Sequence, residues 1–209
     1  VCFLALEKLM KDGRIQPARI EEFILEAKKE LALDIKQAGE EALYKLGITG
    51  LDPKLVSIVG RLKYRTSYGQ NILGHSSEVA NLCAMIAEEV GVDPIMAKKA
   101  GFFHDIGKSV DHETQGTHME IGETILKKFG MPEDVAYAAR HHHDDKTNHI
   151  ITDIVKAGDA ISASRVGARR DTYEQYVMRL EELERVAGDF AGIDKVYAIQ
   201  AGREVRVFV

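Results

Sequence analysis

The spacing of apolar side chains predicts that helices make up most of this chain. From Ile20 onwards, apolar residues recur at steps of three and four, which places them on one face of a long amphipathic helix. Pro17 stands at a plausible first helical position, and Gly47 is a typical residue for a helix to end at. A shorter helix is predicted over residues 3–11, ended by Gly13. The chain is therefore expected to begin with two consecutive helices.

Aspartate, proline and glycine divide most of the remaining chain into further helices. Asp52-Pro53 and Asp93-Pro94 each combine a carboxylate that can cap a helix with a proline suited to its first turn. The predicted helices cover residues 53–62, 71–90, 94–103, 120–129, 132 to the histidines at 141–143, 151–163 and 172–187.

The C-terminal tail follows a different pattern. Residues 195–200 and 204–209 alternate apolar and polar side chains on either side of Ala201-Gly202-Arg203, which is typical of a β-hairpin. The pattern as a whole predicts an all-α fold with a small C-terminal hairpin.

Composition limits the classes of protein to consider. With 209 residues, 45% of them hydrophobic and 29% charged, the chain has the balance of a soluble globular protein. Its net charge of -5 argues against a general nucleic-acid coat protein, so affinity for RNA would have to come from a local patch. Cys2 and Cys83 are too few for a disulfide framework or a zinc finger, which favours a reducing, cytosolic compartment. No apolar run is long enough to span a membrane.

A series of residues able to bind metal ions follows one another through the predicted helices. In order, they are His75, His104, Asp105, His118, His142, His143 and Asp159. Imidazole and carboxylate ligands suit Mn, Fe, Zn and their neighbours. The set is too large for one tetrahedral ion and predicts two ions about 3.5–4 Å apart, joined by a carboxylate and a water. Such a pair makes water nucleophilic and neutralises phosphate oxygens, so the predicted reaction is phosphate-ester hydrolysis.

Each of these residues has an ordinary interpretation when it is taken alone. His75 could be a polar residue on a helix face, and the run of three histidines from His141 to His143 a solvated helix end. The joint pattern favours the metal site, because buried ionisable groups are costly unless they are paired or metal-bound. His112 and His149 are interpreted as surface residues, and His141 is left out of the ligand set because the pair of histidines that follows it fits better.

Several segments resemble a known family. His75, His104-Asp105 and Asp159 match the pattern that names the HD phosphohydrolases, and the wider sequence resembles the ribonuclease Y family of that superfamily. The segments that carry this resemblance are RLKYRTSYGQN (61–71), HDIGK (104–108), GARR (167–170) and AIQAGRE (198–204). The resemblance covers nearly the whole chain and implies an HD-domain helical bundle that cleaves RNA internally.

The resemblance also implies roles for individual residues. His75, His104, Asp105 and Asp159 would hold one metal, and His118, His142 and His143 a second, with Asp105 shared as the catalytic bridge. Lys108 is expected to meet a phosphate, although a solvated charge is an equal alternative. Arg169 and Arg170 are candidates for the RNA backbone, although a solvated loop is favoured for at least one of them. The family more often has a small residue at position 141, which leaves the choice among the three histidines open. Mn is the expected metal, with Mg, Fe, Zn and Ni as alternatives.

The resemblance further implies how the chain is organised and where it acts. Residues 1–60 are expected to lead from an upstream KH module, residues 61–165 to form the catalytic core, and residues 166–209 to add a helix and hairpin. The expected setting is the inner face of the cell membrane, reached through an anchor outside this chain. The expected partners are RNA, which this fragment alone is expected to bind weakly, a second copy in a homodimer and the RNA-degradation machinery.

Two further functions stay open beside an endoribonuclease that initiates mRNA turnover. One is hydrolysis of small phosphodiesters such as 2',3'-cyclic nucleotides, which would use the same metals in a different groove. The basic side chains of Arg61, Lys63 and Arg65 favour a polymer over these small substrates. The other is a non-catalytic dimerisation module, built on the apolar stripe between Tyr173 and Val186.

Overall fold

Helices account for most of the computed structural model, which describes residues 1–67, 69–111, 114–164, 173–190, 192–193, 195–199 and 204–208. The helices are α1 (Cys2–Asp12), α2 (Pro17–Leu46), α3 (Pro53–Arg61), α4 (Ile72–Val90), α5 (Pro94–Phe103), α6 (His118–Lys128), α7 (Glu133–His141), α8 (Ile150–Ser164) and α9 (Tyr173–Gly188). Short 3₁₀ helices lie at Leu62–Tyr64 and Ile106–Ser109, and the strands are β1 (Thr66–Ser67), β2 (Gln70–Asn71), β3 (Lys195–Ile199) and β4 (Glu204–Phe208). The predicted helical fold with a C-terminal hairpin is confirmed.

Capping residues begin and end these helices for simple chemical reasons. The Asp52 side chain accepts a hydrogen bond from the backbone N–H of Lys54 at 2.7 Å, and Asp93 caps α5 in the same way. Gly47 follows α2 with φ of 69°, a left-handed conformation that glycine adopts without steric cost. Gly91 ends α4 with the same geometry.

The start of α6 differs from the sequence-based prediction. The helix begins at His118, two residues before the predicted start at Glu120. The Thr117 hydroxyl accepts from the N–H of Glu120 at 3.3 Å, and the Glu120 carboxylate accepts from the N–H of Thr117 at 3.0 Å. This reciprocal capping box was overlooked in the sequence, and it makes His118 the first residue of a helix.

The basic segment before α4 is folded against the rest of the chain. Lys63 Nζ lies 2.6 Å from a carboxylate oxygen of Asp34, and Arg65 is ion-paired with Asp111. Arg65 Nε also donates to the carbonyl oxygen of Lys108 at 2.7 Å. Lys63 and Arg65 therefore each have a carboxylate partner within the protein, and their contact with an RNA backbone stays a prediction.

Residues 1–66 and 71–164 form one compact unit with its own hydrophobic core. Phe102 and Phe103 are 1% and 0% exposed and lie at the centre of this core, with their rings edge to face. Cys83 packs where α4 meets α5 and α8. A Cβ added at Gly101 or at Gly158 would lie only 2.7 Å or 2.9 Å from the Cys83 Sγ. The two glycines therefore allow three helices to approach closely around one thiol.

Residues 67–70 and 165–209 form a second unit. Its strands β3 and β4 pair antiparallel, with Lys195 opposite Phe208 and Ile199 opposite Glu204, and the residues of the predicted turn lie outside the described ranges. The Glu184 carboxylate of α9 accepts a hydrogen bond from the Ala198 N–H at 2.8 Å, which joins helix and hairpin. Among the described helices, none contains an apolar stretch sufficient to cross a bilayer.

Candidate metal centre

The ends of three helices and the interiors of two others bring the predicted ligands together in the first unit. His104 directly follows α5, His118 begins α6 and His142 directly follows α7, while His75 and Asp159 lie within α4 and α8. Helix ends suit ligands because the chain changes direction there and the side chain can point along the gap between neighbouring helices.

The carboxylate of Asp105 lies at the centre of the cluster. One oxygen, Oδ2, lies 3.4 Å from His104 Nε2. The other, Oδ1, lies 3.7 Å from His118 Nε2 and 3.8 Å from His142 Nε2. Asp105 is only 2% exposed, so its charge faces these imidazoles rather than bulk water. This geometry places one carboxylate between two groups of nitrogen ligands.

Ligand atoms in this cluster lack hydrogen-bond partners of their own. Within the described part of the chain, six buried side-chain polar atoms have no hydrogen-bond partner, and four of them are here. They are His104 Nε2, His118 Nε2, His142 Nε2 and Asp105 Oδ1. Leaving a buried polar atom unsatisfied costs about 1–3 kcal/mol. Four such atoms converging on one point are what a site for a cation requires.

The opposite nitrogens of the buried imidazoles are held by backbone carbonyls. His104 Nδ1 lies 2.7 Å from the Gly101 carbonyl oxygen, and His142 Nδ1 lies 3.0 Å from that of Ala139. A carbonyl only accepts, so each Nδ1 carries the proton and donates it, leaving the lone pair on Nε2 directed at the cluster. The histidines are thus held in the tautomer that binds a metal.

His75 is oriented by a chain of side chains instead of a carbonyl. Its Nδ1 lies 2.9 Å from Ser162 Oγ, and that hydroxyl donates to Glu78 Oε2 at 2.9 Å. On the other side of the ring, His75 Nε2 lies 3.1 Å from Asp159 Oδ1. Sequence analysis missed Ser162 and Glu78. The signal was their helical spacing, since each follows a candidate ligand by three residues and shares its helix face.

The electrostatics of the centre favour the protonation states that ligands need. Burial opposes the charge of Asp105, yet His104 and Lys108 hold its pKa well below the ordinary value. Burial also opposes ionisation of Asp159, but His75 and His104 lower its pKa to about 2. Burial lowers the pKa of His142 to about 3 and also lowers that of His118. At neutral pH the carboxylates are therefore ionised while these two imidazoles are neutral.

His104 responds to the same negative charge in the opposite direction. Its burial disfavours the imidazolium, but the carboxylates of Asp105 and Asp159 outweigh this and raise its pKa. Lys108 Nζ likewise donates to Asp105 Oδ2 at 2.7 Å. Both effects have one cause, because the buried carboxylate of Asp105, assisted at His104 by the partly buried carboxylate of Asp159, attracts positive charge.

The structure separates the three consecutive histidines that the sequence left open. Ligand nitrogens of His142 and His143 lie with that of His118 in a group whose atoms are within 4.8 Å of one another. His141 instead lies 2.6 Å from the carboxylate of Asp144, and its ring stacks on that of Tyr137. His141 therefore holds the loop rather than joining the cluster.

Two further groups meet the same 4.8 Å limit, namely His75, His104 and Asp159, and His104, Asp105 and His142. All of the predicted metal ligands thus fall into adjoining groups. His149 is bound to Asp134 and Thr152 outside them. Arg169, Arg170 and His112 lie outside the described residues.

The donor set fits divalent transition-metal ions. Converging imidazole nitrogens, ionised carboxylates and unsatisfied ligand atoms are the features that Mn, Fe, Ni or Zn sites share. The cluster also offers more ligands than one tetrahedral ion uses, which suits a pair of ions.

Comparison with known proteins gives the geometry a family context. The family model described as HD domain matches residues 72–186, which include every candidate ligand of the centre. The chain is 53% identical to the ribonuclease Y of Alkaliphilus metalliredigens and 54% identical to that of Clostridium kluyveri. Each alignment covers 100% of this chain, but only 44% and 41% of those proteins.

A third relative gives the same result. The ribonuclease Y of Acetivibrio thermocellus is 53% identical over 99% of this chain, which covers 40% of that protein. The chain thus spans about two fifths of the length of the relatives it matches, and no solved structure is a significant match. The ordered ligands and the family match over residues 72–186 together establish that this chain belongs to the HD domain family.

Proposed function

We propose that this chain hydrolyses RNA phosphodiester bonds at the centre around Asp105, as an endoribonuclease that initiates mRNA turnover. The observation that carries the proposal is the set of four buried, unsatisfied ligand atoms that converge on this carboxylate. Its similarity to proteins named ribonuclease Y supports RNA as the substrate.

The chain's residues divide into two ligand sets that share Asp105. His75, His104, Asp105 and Asp159 would hold one divalent ion, and His118, His142 and His143 the other. When bound, two such ions neutralise phosphate oxygens and lower the pKa of water so that it attacks phosphorus at neutral pH. We propose Mn as the preferred metal, with Fe, Ni, Zn and Mg as alternatives.

Lys108 has a separate role in the proposal. Its side chain is 21% exposed and its Nζ reaches Asp105 Oδ2. An ammonium at the edge of the cluster can leave this carboxylate and donate to a substrate phosphate oxygen, since it has three donors and a flexible stem. The buried side chains of Phe102 and Phe103, which directly precede His104, would help to restrict water at the centre.

The setting of the chain is also a proposal. The relatives are more than twice as long, and we propose that the whole protein acts at the cytoplasmic face of the membrane, with a KH module that grips RNA. Homodimerisation and contact with the RNA-degradation machinery belong to the same proposal. The division into residues 1–60, 61–165 and 166–209 stays a prediction.

The test uses a circular RNA, which lacks ends and can be opened only by internal cleavage. Metal-stripped protein reconstituted with Mn is expected to linearise the circle and to hydrolyse bis(p-nitrophenyl) phosphate. Asp105→Asn is expected to lose both activities and most bound metal while keeping its helical circular dichroism. His141→Ala is the matched control, because His141 ends α7 directly before two candidate ligands but lies outside the ligand groups.

Three outcomes would contradict the proposal. If Asp105→Asn bound less metal but kept substantial activity, hydrolysis would not depend on the metal and the proposed mechanism would be wrong. Restoration by Ca alone, and not by Mn, would contradict the ligand chemistry. Rapid hydrolysis of 2',3'-cyclic nucleotides without opening of circular RNA would favour the small-phosphodiester alternative.

A further inference from the structure

A groove on the first unit gathers cationic side chains away from the metal centre. Its volume is about 680 Å³, within the usual range of small-ligand sites. The side chains that matter here are Lys36, Lys54, Arg61, Lys128 and, between them, Ile58 and Phe129. These residues come from α2, α3 and α6 and from the turn that follows α6, so distant parts of the sequence contribute to one surface.

Lys54 and Lys128 carry positive charge in the groove that no carboxylate in the described part of the chain neutralises. Among the described residues, neither Lys54 nor Lys128 has a carboxylate partner, and Lys36 has only an exposed contact of 3.7 Å with Glu40. The chain as a whole has a net charge of -5. A local excess of cations on a negative protein creates a field that attracts an anionic polymer to that one place.

The floor of the groove is apolar. Ile58 and Phe129 are partly buried and pack against the hydrophobic core, so each presents an edge to the groove. A nucleotide could bind with its phosphates on the lysines and its base packed against the apolar floor, so that it would contact both surfaces at once. A nucleotide combines these two chemistries, whereas inorganic phosphate uses only the charge.

The groove lies a few nucleotides from the metal centre. Val110, on its rim, is two residues after Lys108, whose ammonium contacts Asp105. Along α6, Lys128 follows His118 by ten positions, which is about 15 Å at the helical rise of 1.5 Å per residue. A stacked strand advances about 3.4 Å per nucleotide, so roughly four nucleotides span this distance.

We propose that this groove binds the RNA strand about four nucleotides from the bond being cleaved, with Lys54 and Lys128 on its phosphates. The inference rests on the proposed function, because RNA is its ligand. It adds a positioning site on the catalytic unit, so that part of the grip on RNA would lie in this chain.

The experiment compares two variants that lose the same charge. Lys54→Gln/Lys128→Gln removes the groove cations, and Lys28→Gln/Lys29→Gln removes two exposed cations elsewhere on α2. Glutamine and lysine have similar helix propensities, so neither change should alter folding. Binding of a labelled 12-nucleotide RNA is measured by anisotropy in chelator across a range of salt concentrations.

Loss of two phosphate contacts on a single strand should lower the slope of log Kd against log salt by about 1.4. At 0.15 M salt this corresponds to a Kd roughly tenfold higher for the groove variant. For the groove variant, the ratio of kcat/KM for the 12-mer to kcat/KM for bis(p-nitrophenyl) phosphate should fall by a similar factor. The same ratio for a trinucleotide should not fall, because a trinucleotide is too short to reach the groove. The control variant should match the wild-type protein.

The outcomes separate this inference from the proposed function. If RNA affinity fell equally in both variants, or fell in neither, the groove would be excluded as an RNA-binding site. Unlabelled RNA should displace the labelled 12-mer better than a glutamate peptide does, and better than AMP does at the same total phosphate concentration. Equally strong competition by the peptide or by AMP would overturn the assignment to an RNA strand. Groove-dependent binding in a protein that cleaves no phosphodiester would leave the groove standing and remove the proposed function instead. Each single lysine variant, expected to lose about threefold in affinity, guards against a folding defect in the pair.

Discussion

At the residue scale, we expect Ser162 to contribute to metal affinity through the candidate ligand that it orients. Its hydroxyl accepts from His75 Nδ1 and donates to Glu78, which fixes the ring that faces Asp159. Ser162→Ala should lower metal affinity by about 10–100-fold, since outer partners of ligating histidines typically contribute that much. A competition titration with a chromophoric chelator measures it.

Ser164 supplies the control for this prediction. It lies on the same helix, and among the described residues its hydroxyl bonds to the Ile161 carbonyl oxygen, at 3.0 Å, and to no group of the metal centre. Ser164→Ala should bind metal as the wild-type protein does. Equal affinity of Ser162→Ala and Ser164→Ala would mean that His75 does not need this orientation.

The two cysteines should differ sharply in reactivity. Burial, with a smaller effect of Asp159, raises the pKa of Cys83 from 9.0 to about 12, whereas Cys2 is exposed. At pH 8.5 iodoacetamide should therefore modify Cys2 in the folded protein and Cys83 only after unfolding. Mass spectrometry of the peptides reads both sites, and rapid modification of Cys83 in folded protein would contradict the packing described around it.

The same pKa has a consequence for stability against pH. The thiol of Cys83 stays protonated in the folded protein after it ionises in the unfolded chain, so its contribution is complete below about pH 9 and is lost as pH rises towards 12. The free energy of unfolding should therefore fall more steeply over this range for the wild-type protein than for Cys83→Ala. Parallel curves for the two proteins would exclude this linkage.

The sequence indicated candidate ligands, but it did not indicate the groups that orient them. His104 and Asp105 stand in a recognisable pattern, but the carbonyls of Gly101 and Ala139 that orient His104 and His142 have no side-chain signature. Nor could spacing decide among the three histidines. His141 is excluded from the groups by its contacts with Asp144 and Tyr137, which depend on how the loop folds.

At the element scale, the contact between the 3₁₀ helix Ile106–Ser109 and α6 sets the position of His118. A Cβ at Gly107 would overlap the backbone carbonyl of His118, which cannot move without moving α6. Gly107→Ala should thus destabilise the fold by about 1–3 kcal/mol and release metal preferentially from the set containing His118. Urea denaturation and metal stoichiometry measure the two effects.

Gly74→Ala is the matched control. Gly74 lies one residue before His75, and the nearest atom to an added Cβ is 3.8 Å away, at ordinary contact distance. This variant should keep its metal, and it gains up to about 1 kcal/mol of helix propensity. Loss of metal in both variants would mean that the metal loss in Gly107→Ala cannot be attributed to a displacement of α6.

Element boundaries were predictable wherever a local rule set them. Asp52, Asp93 and Gly47 act through their own side chain or backbone, and the structure confirms the helix ends they indicate. The close approach of α4, α5 and α8 around Cys83 was not predictable, because it depends on glycines 57 residues apart in sequence, Gly101 and Gly158, meeting one sulfur atom. Tertiary packing of this kind leaves no periodic pattern in the sequence.

At the scale of the whole molecule, we propose that the protein forms a homodimer through α9. Of the predicted apolar stripe, Leu180 and Leu183 are partly buried and Val186 is 50% exposed, while the side chains of residues 173–179 lie outside the description. Val186→Glu should shift the protein towards monomer, since a buried unpaired charge at an interface is strongly unfavourable. Light scattering across a concentration series measures the mass.

A charged substitution away from the stripe gives the comparison. Tyr44→Glu changes an exposed residue on α2 and should leave the mass unchanged. A wild-type protein that stays monomeric at high concentration would remove the dimer proposal and leave the stripe as part of the fold.

The carbonyl-held imidazoles also make the centre visible to spectroscopy. Protons on His104 Nδ1 and His142 Nδ1 are buried and hydrogen-bonded, so they should exchange slowly with solvent and give resolved proton resonances. Because each ring's Nε2 faces Asp105, a diamagnetic ion such as Zn²⁺ would shift these signals without broadening them. The Nδ1 proton resonances of the two rings thus allow metal binding at the centre to be followed separately at each histidine, without any substrate.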